Sequence, residues 1–178
     1  MELSLKEASL MSENATHPGP PVPQPEHARL KSFEGTFRAT VKLWMGPGDP
    51  IVQHGTMVNA FQLGGLYLFQ DYTGDPSPGP FPAFLGKGYW GYNTSSKKYE
   101  GFWIDNASTM MQLEKGDVDA SGKIWTMMSS FQHPGTGQSM SKRSVIRLID
   151  QNHNDMTTYM SGPDGNEFRS MEIEFVRA

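Results

Sequence analysis

The chain contains no cysteine. Disulfides, a thiolate nucleophile and cysteine-ligated zinc or iron–sulfur sites are therefore excluded. Charge is also sparse: 15 Lys and Arg against 19 Asp and Glu leave a net charge of −4 and a pI near 5.7. Nothing here makes a basic field to hold a phosphate backbone, so nucleic acid is not an expected partner. No apolar run approaches the roughly 20 residues that a membrane-spanning helix needs. The start, MELSLKEASLMS, has acidic residues early and lacks the basic beginning and apolar middle of a secretory signal, so a cytoplasmic location is the expectation.

Catalytic signatures are scarce too. None of the five histidines (His17, His27, His54, His133, His153) stands at the i, i+4 spacing of a metalloprotease helix, and no metal site is expected. There is no Gly-x-Ser-x-Gly elbow. Gly86-x-Gly88-x-x-Gly91 matches a dinucleotide fingerprint by letter alone, because it lies within a strand pattern with no helix after it.

What the chain does contain is regular strand and turn punctuation. At 178 residues it is long enough for one domain with a substantial core. Residues 1–24 read as an extended or disordered proline-rich tail, since six of the eight positions from Pro18 to Pro25 are Pro or Gly. Residues 1–12 carry a weak helical pattern on Leu3, Leu5, Leu10 and Met11. Residues 25–178 read as a single domain. Pro25 followed by EHARLKSF predicts one or two helical turns, with Leu30 and Phe33 on one side. Beyond Gly35 about ten strands are predicted: 35–45, 51–62, 65–73, 83–92, 97–106, 107–115, 123–132, 139–149, 154–161 and 166–176. Short turns rich in Gly, Pro, Asp and Asn separate most of them, and no helix intervenes, so the pairing is antiparallel.

Ten sequential strands have edges to hide, and closing them into an up-and-down barrel removes those edges. A two-sheet sandwich would need long returns that this chain lacks. The fold class expected is therefore an all-β, about ten-stranded barrel, with Leu30 and Phe33 plugging one end. A barrel of that width has room for a cavity.

The richest stretch is 86–105, GKGYWGYNTSSKKYEGFWID, which reads as a hairpin. Tyr99, Gly101, Trp103 and Asp105 alternate onto one face. Aromatics, a carboxylate and glycine on one face suggest the wall of a cavity. A small hydrophobic or amphipathic ligand would then meet Tyr67, Trp90, Tyr92, Tyr99 and Trp103, with Asp105, Arg143 and Glu172 as polar anchors. Glu172 and Glu174 alternate with the apolar Met171, Ile173 and Phe175, so the charges of the last strands are expected in solvent; if a pair does face the lumen, Arg143 with Glu172 is the candidate, since a charge there needs a partner. Asp105 has a competing role at the end of its strand, accepting N–H bonds in the turn to Asn106-Ala107-Ser108. An acid–base enzyme is the alternative, with Asp105 or Glu172 as base and a tyrosine such as Tyr99 as acid. A third reading is a homodimer through outward methionines, Phe102 and Trp125. No cofactor is expected; a haem would need an inward histidine, for which His54 is the candidate.

PEHARLKSFEGTF, GPGDPIVQHGT, LGGLYLFQDYTGD, GYNTSSKKYEGFWIDNAST, GDVDASGK, HPGTGQSMSKRSV and GPDGNEFRSMEIEFVR follow one another over residues 25–177. In that order and spacing they resemble the family named domain of unknown function 1579. The resemblance implies a calycin-like barrel, akin to lipocalins and the haem-binding nitrobindins, and implies no particular activity. Two positions depart from the family pattern: Phe37 where a tryptophan is common, and Tyr92-Asn93-Thr94 where Tyr-Asp-Asn is usual.

Overall fold

The computed structural model describes residues 19–76, 82–133, 135–162 and 164–178. The helical reading of residues 1–12, and part of the turn after Asp75, lie outside them. A short helix α1 (Pro25–Arg29) runs into a 3-10 turn (Leu30–Phe33). Ten strands follow: β1 (Gly35–Leu43), β2 (Ile51–Gln62), β3 (Tyr67–Gly74), β4 (Leu85–Asn93), β5 (Lys98–Asp105), β6 (Gln112–Val118), β7 (Ile124–Gln132), β8 (Ser139–Leu148), β9 (His153–Ser161) and β10 (Glu167–Arg177). Each strand pairs antiparallel with its neighbour in sequence, and β10 closes on β1. The result is a closed ten-stranded up-and-down barrel, as the strand count and short turns predict.

Period-2 burial sets which side chains face inward. In β1 the buried set is Phe37, Ala39 and Val41, while Arg38 and Lys42 face out. β6 starts later than expected, at Gln112. The reason lies in the turn after β5. Asp105 Oδ1 accepts the Ala107 N–H at 3.0 Å, and the Asn106 side chain accepts from Leu85 N and donates to Ala83 O, both at 2.9 Å. These bonds satisfy the backbone locally and carry residues 107–111 out of the ladder.

α1 opens with Pro25, whose missing N–H costs nothing there. Its N-terminus is closed by the Gln24 N–H donating to His27 Nδ1 at 2.9 Å. Leu30 and Phe33 plug the barrel against Leu68, Trp90, Tyr99, Trp125, Met127 and Ile146. Trp125, expected on the outer face, is instead fully buried there, because it shares the inward face with Met127. Barrel side chains also grip the plug's backbone: Tyr99 Oη donates to Glu26 O at 3.0 Å, Asn59 Nδ2 to Phe33 O at 2.8 Å, and Arg177 to Glu34 O at 2.8 Å. Burial pushes the Tyr99 phenol above its usual pKa. Tyr99→Phe keeps the ring and removes one of these ties. It is expected to cost about 1 kcal/mol in urea unfolding, with the secondary structure unchanged.

Candidate functional site in the open half of the barrel

The half of the barrel away from the plug holds a second apolar core, Phe37, Ala39, Val41, Met57, Tyr72 and Phe175, with Trp103 packed against it. Gly86 and Gly88 of β4 stand opposite Asp105 and Trp103 of β5. A Cβ at Gly86 would lie 2.1 Å from Trp103 Cζ2, and one at Gly88 2.9 Å from Trp103 Cε3. The indole therefore lies flat over the two glycines, which is what glycine in that strand provides.

Polar side chains collect beside it. Gln112 and Glu114 of β6 face inward, in register with Trp103 and Gly101. Lys142 of β8 is inward too, because it shares a face with Ser144 and Ile146, both buried. Its ammonium lies 3.4 Å from Glu114 Oε2 and donates to Gln112 Oε1 at 3.0 Å. Only 11% of the Lys142 side chain and 22% of the Glu114 side chain are exposed, the lowest exposures among the ion pairs of the described residues. Lys142 spans past β7 because the residue paired with it there is Ser129, too small to block the path.

The wall is incomplete at this point. The β6–β7 ladder pairs only Lys115–Val118 with Trp125–Met128. Beyond Lys115 and Met128 the two strands part, leaving a cleft of about 440 Å³ lined by Gly101, Glu114 and Ser129 of the inner face and by Glu100, Leu113, Lys115, Met128 and Ser130 of the outer. Leu113 and Met128 are exposed on its outer side. Leu113 also ends an outward apolar row, Phe69–Tyr89–Phe102–Leu113, whose members are direct cross-strand neighbours. The Phe69–Tyr89 and Tyr89–Phe102 rings are 5.1 and 5.6 Å apart.

Of the residues the sequence nominated, Trp103 and Asp105 line this open half. Asp105 also serves its turn. Trp90, Tyr92 and Tyr99 face inward in the plugged half, where Tyr92 packs between His27 and Tyr99. Tyr67 lies on the outer face, its ring over Gly91. The candidate Arg143–Glu172 pair does not form. Arg143 Nε donates to Glu167 at 2.8 Å over the Tyr159 ring, and Glu172 accepts from Arg169 at 2.6 Å, all on the outer surface. Regular alternation against β1 turns Met171, Ile173 and Phe175 inward and Glu172 outward, and a bulge between Arg169 and Met171 puts Arg169 on the same outer face as Glu172. His54 likewise faces out, exposed beside Thr40 at 3.3 Å, so it is not the inward histidine a haem would need.

The internal pair is Lys142–Glu114, and two signals for it were present in the sequence. Lys142 falls in phase with Met140, Ser144, Ile146 and Leu148, and Glu114 falls in phase with Gly116 and Val118. Arg143, one residue on, lies on the opposite face.

Glu100, at the rim of the cleft, is held by Lys115 at 2.8 Å, Ser96 at 2.9 Å and Asn93 at 3.0 Å. The Lys115 ammonium, ahead of the Asn93 amide, lowers its carboxyl from 4.5 to about 2. Its stabilising effect is therefore complete above pH 4.5 and is lost as the pH falls toward 2. The Glu100 side chain is 38% exposed, so solvent weakens the effect. Glu100→Gln is expected to cost about 1 kcal/mol or less at pH 7 and nothing near pH 2, read by chemical denaturation across that range.

Among the described residues, no three His, Asp or Glu side chains stand together as metal ligands, and no helix is long and apolar enough to cross a membrane. Among solved structures the barrel is similar to the S-type phycobiliprotein lyase CPES from Guillardia theta. The TM-score is 0.61 at 8% identity, covering 88% of this chain and 98% of that one. A redesigned β-barrel matches at a TM-score of 0.43 and 15% identity, over 89% of this chain and 99% of that one. No curated protein matches the chain. The model of the family described as "Protein of unknown function (DUF1579)" matches residues 22–177, nearly the whole barrel with its plug, and the chain belongs to that family.

Proposed function

We propose that the open half of the barrel binds a small amphipathic molecule, with Lys142, Glu114 and Gln112 as polar anchors and Trp103 as apolar surface. The observation that carries this reading is the ion pair on the lumen face. Taking two charges out of water is expensive, and such pairs seldom stabilise a fold more than apolar side chains of the same size would. Both halves of the barrel carry apolar cores made without such a pair. A charged cluster beside an opening in the wall suits recognition: an apolar cleft with a few convergent polar groups.

The acid–base alternative has weaker support, since the Tyr99 hydroxyl is committed to Glu26 O and Glu172 lies outside the barrel. The outward row ending at Leu113 supports a second reading, a homodimer. Native mass spectrometry of protein purified without denaturant tests both. A native mass a few hundred daltons above the unfolded chain, released on unfolding, is the expected result. A bare monomer that also takes up no added amphiphile would overturn the binding reading, and a mass of twice the chain would support the dimer.

A further inference from the structure

β6 and β7 part while both are still strands. β5 holds β6 as far as Gln112, and β8 holds β7 as far as Gln132. Yet β7 pairs nine residues with β8 and only four with β6. The gap is therefore a divergence of two supported strands, in a barrel whose closure otherwise removes every edge.

Successive residues of a strand face opposite sides, so a dent in the outer surface would be lined by outward side chains alone. This cleft is lined from both sides: Gly101, Glu114 and Ser129 face the lumen, while Leu113, Met128 and Ser130 face out. It runs through the wall. Two of its three lumen-side residues, Gly101 and Ser129, are too small to close it. A side-chain bridge crosses there instead. Lys142 on β8 reaches past Ser129 to Gln112 Oε1 at 3.0 Å and Glu114 Oε2 at 3.4 Å, both on β6. All three side chains face inward, so the bridge lies across the inner end of the gap. Its bonds join side chains only, and breaking them disturbs no ladder. The barrel end is closed more firmly, by a plug whose backbone Tyr99, Asn59 and Arg177 hold.

We propose that the β6–β7 gap is the port by which a ligand enters the barrel, and that the Lys142–Glu114–Gln112 bridge is the latch that closes it. Leu113 and Met128, exposed at the outer rim, meet the apolar part of the ligand first. The port serves the lumen-binding reading above, but no ligand enters its test, so either can fail while the other stands.

Because the chain has no cysteine, single thiols can be placed in the full-length protein and their alkylation by iodoacetamide followed by mass spectrometry. Ser144→Cys lies on the lumen face two residues from Lys142, and Ala39→Cys lies on β1, five strands away across the barrel; both positions are buried. The first is reached through the port and the second only when the barrel opens as a whole, so Ser144→Cys is expected to react about tenfold faster than Ala39→Cys. Lys142→Ala/Glu114→Gln breaks the latch without leaving a lone charge, and in that background the ratio of the two rates rises about tenfold further. Ser129→Phe fills the port and brings the ratio down toward one. A ratio near one in every background, or one that Ser129→Phe leaves unchanged, overturns the port. A ratio that the latch variant leaves unchanged overturns the latch.

Discussion

Replacing Trp125 with alanine is expected to remove about 4 kcal/mol of stability, the scale measured for large aromatic truncations in packed cores. Trp125 is fully buried at the junction of plug and barrel. Its ring meets Phe33 edge-on at 5.1 Å and lies 6.0 Å from Trp90 and 6.1 Å from Tyr99. Removing it opens a cavity beneath Phe33 with no neighbour free to collapse into it, because the surrounding side chains are fixed on five different strands and the plug. For a chain of this length the loss corresponds to a fall in melting temperature of about 12 °C. Scanning calorimetry gives the answer, and a shift under about 3 °C would mean that the plug is not the principal core.

Gly116→Ala is expected to be nearly as damaging, for a different reason. The added Cβ would lie 1.9 Å from the Thr126 carbonyl oxygen and 2.8 Å from the Met127 Cα, both backbone atoms that no rotamer change can move. Gly116 is one of only four β6 residues paired with β7. Forcing these strands apart costs about 3 kcal/mol as overpacking and lengthens the cleft into the remaining ladder. Amide exchange is expected to quicken from Lys115 to Val118 and across β7. Gly46→Ala, where nothing stands within 4 Å and no positive φ is required, serves as the control and is expected to be neutral.

The barrel was legible because its signals are local. Turn residues mark the hairpins, alternation marks the inner face, and Pro25 with Leu30 and Phe33 marks the plug. The hairpin reading of 86–105 puts Tyr99, Gly101, Trp103 and Asp105 on one face, and Trp103 and Asp105 do face the lumen; that the indole lies over Gly86 and Gly88 of the neighbouring strand is seen only in the structure. Lys142 was harder to see because it is adjacent to Arg143, and a one-residue change of phase exchanges the two faces of a strand. The outward face of Glu172 was legible, since it alternates with the apolar Met171, Ile173 and Phe175; the bulge before Met171, which leaves no signal in composition, sets the face of Arg169. Nor could the sequence show that β6 and β7 part beyond Met128, because the gap depends on how far two strands stay in register.

The central claim is that Lys142 and Glu114 are kept inside the barrel for a ligand and not for the fold. The double variant Lys142→Met/Glu114→Leu separates the two roles, since it replaces the pair with apolar side chains of similar size and leaves neither charge alone. One native mass spectrum of this variant, purified beside the wild type and accompanied by its melting curve, is the most direct test. The expected result is a melting temperature equal to or above that of the wild type, together with loss of the extra mass carried by the wild-type protein. A variant that melts well below the wild type while still carrying that mass would contradict the claim and make the pair a structural element of the barrel wall.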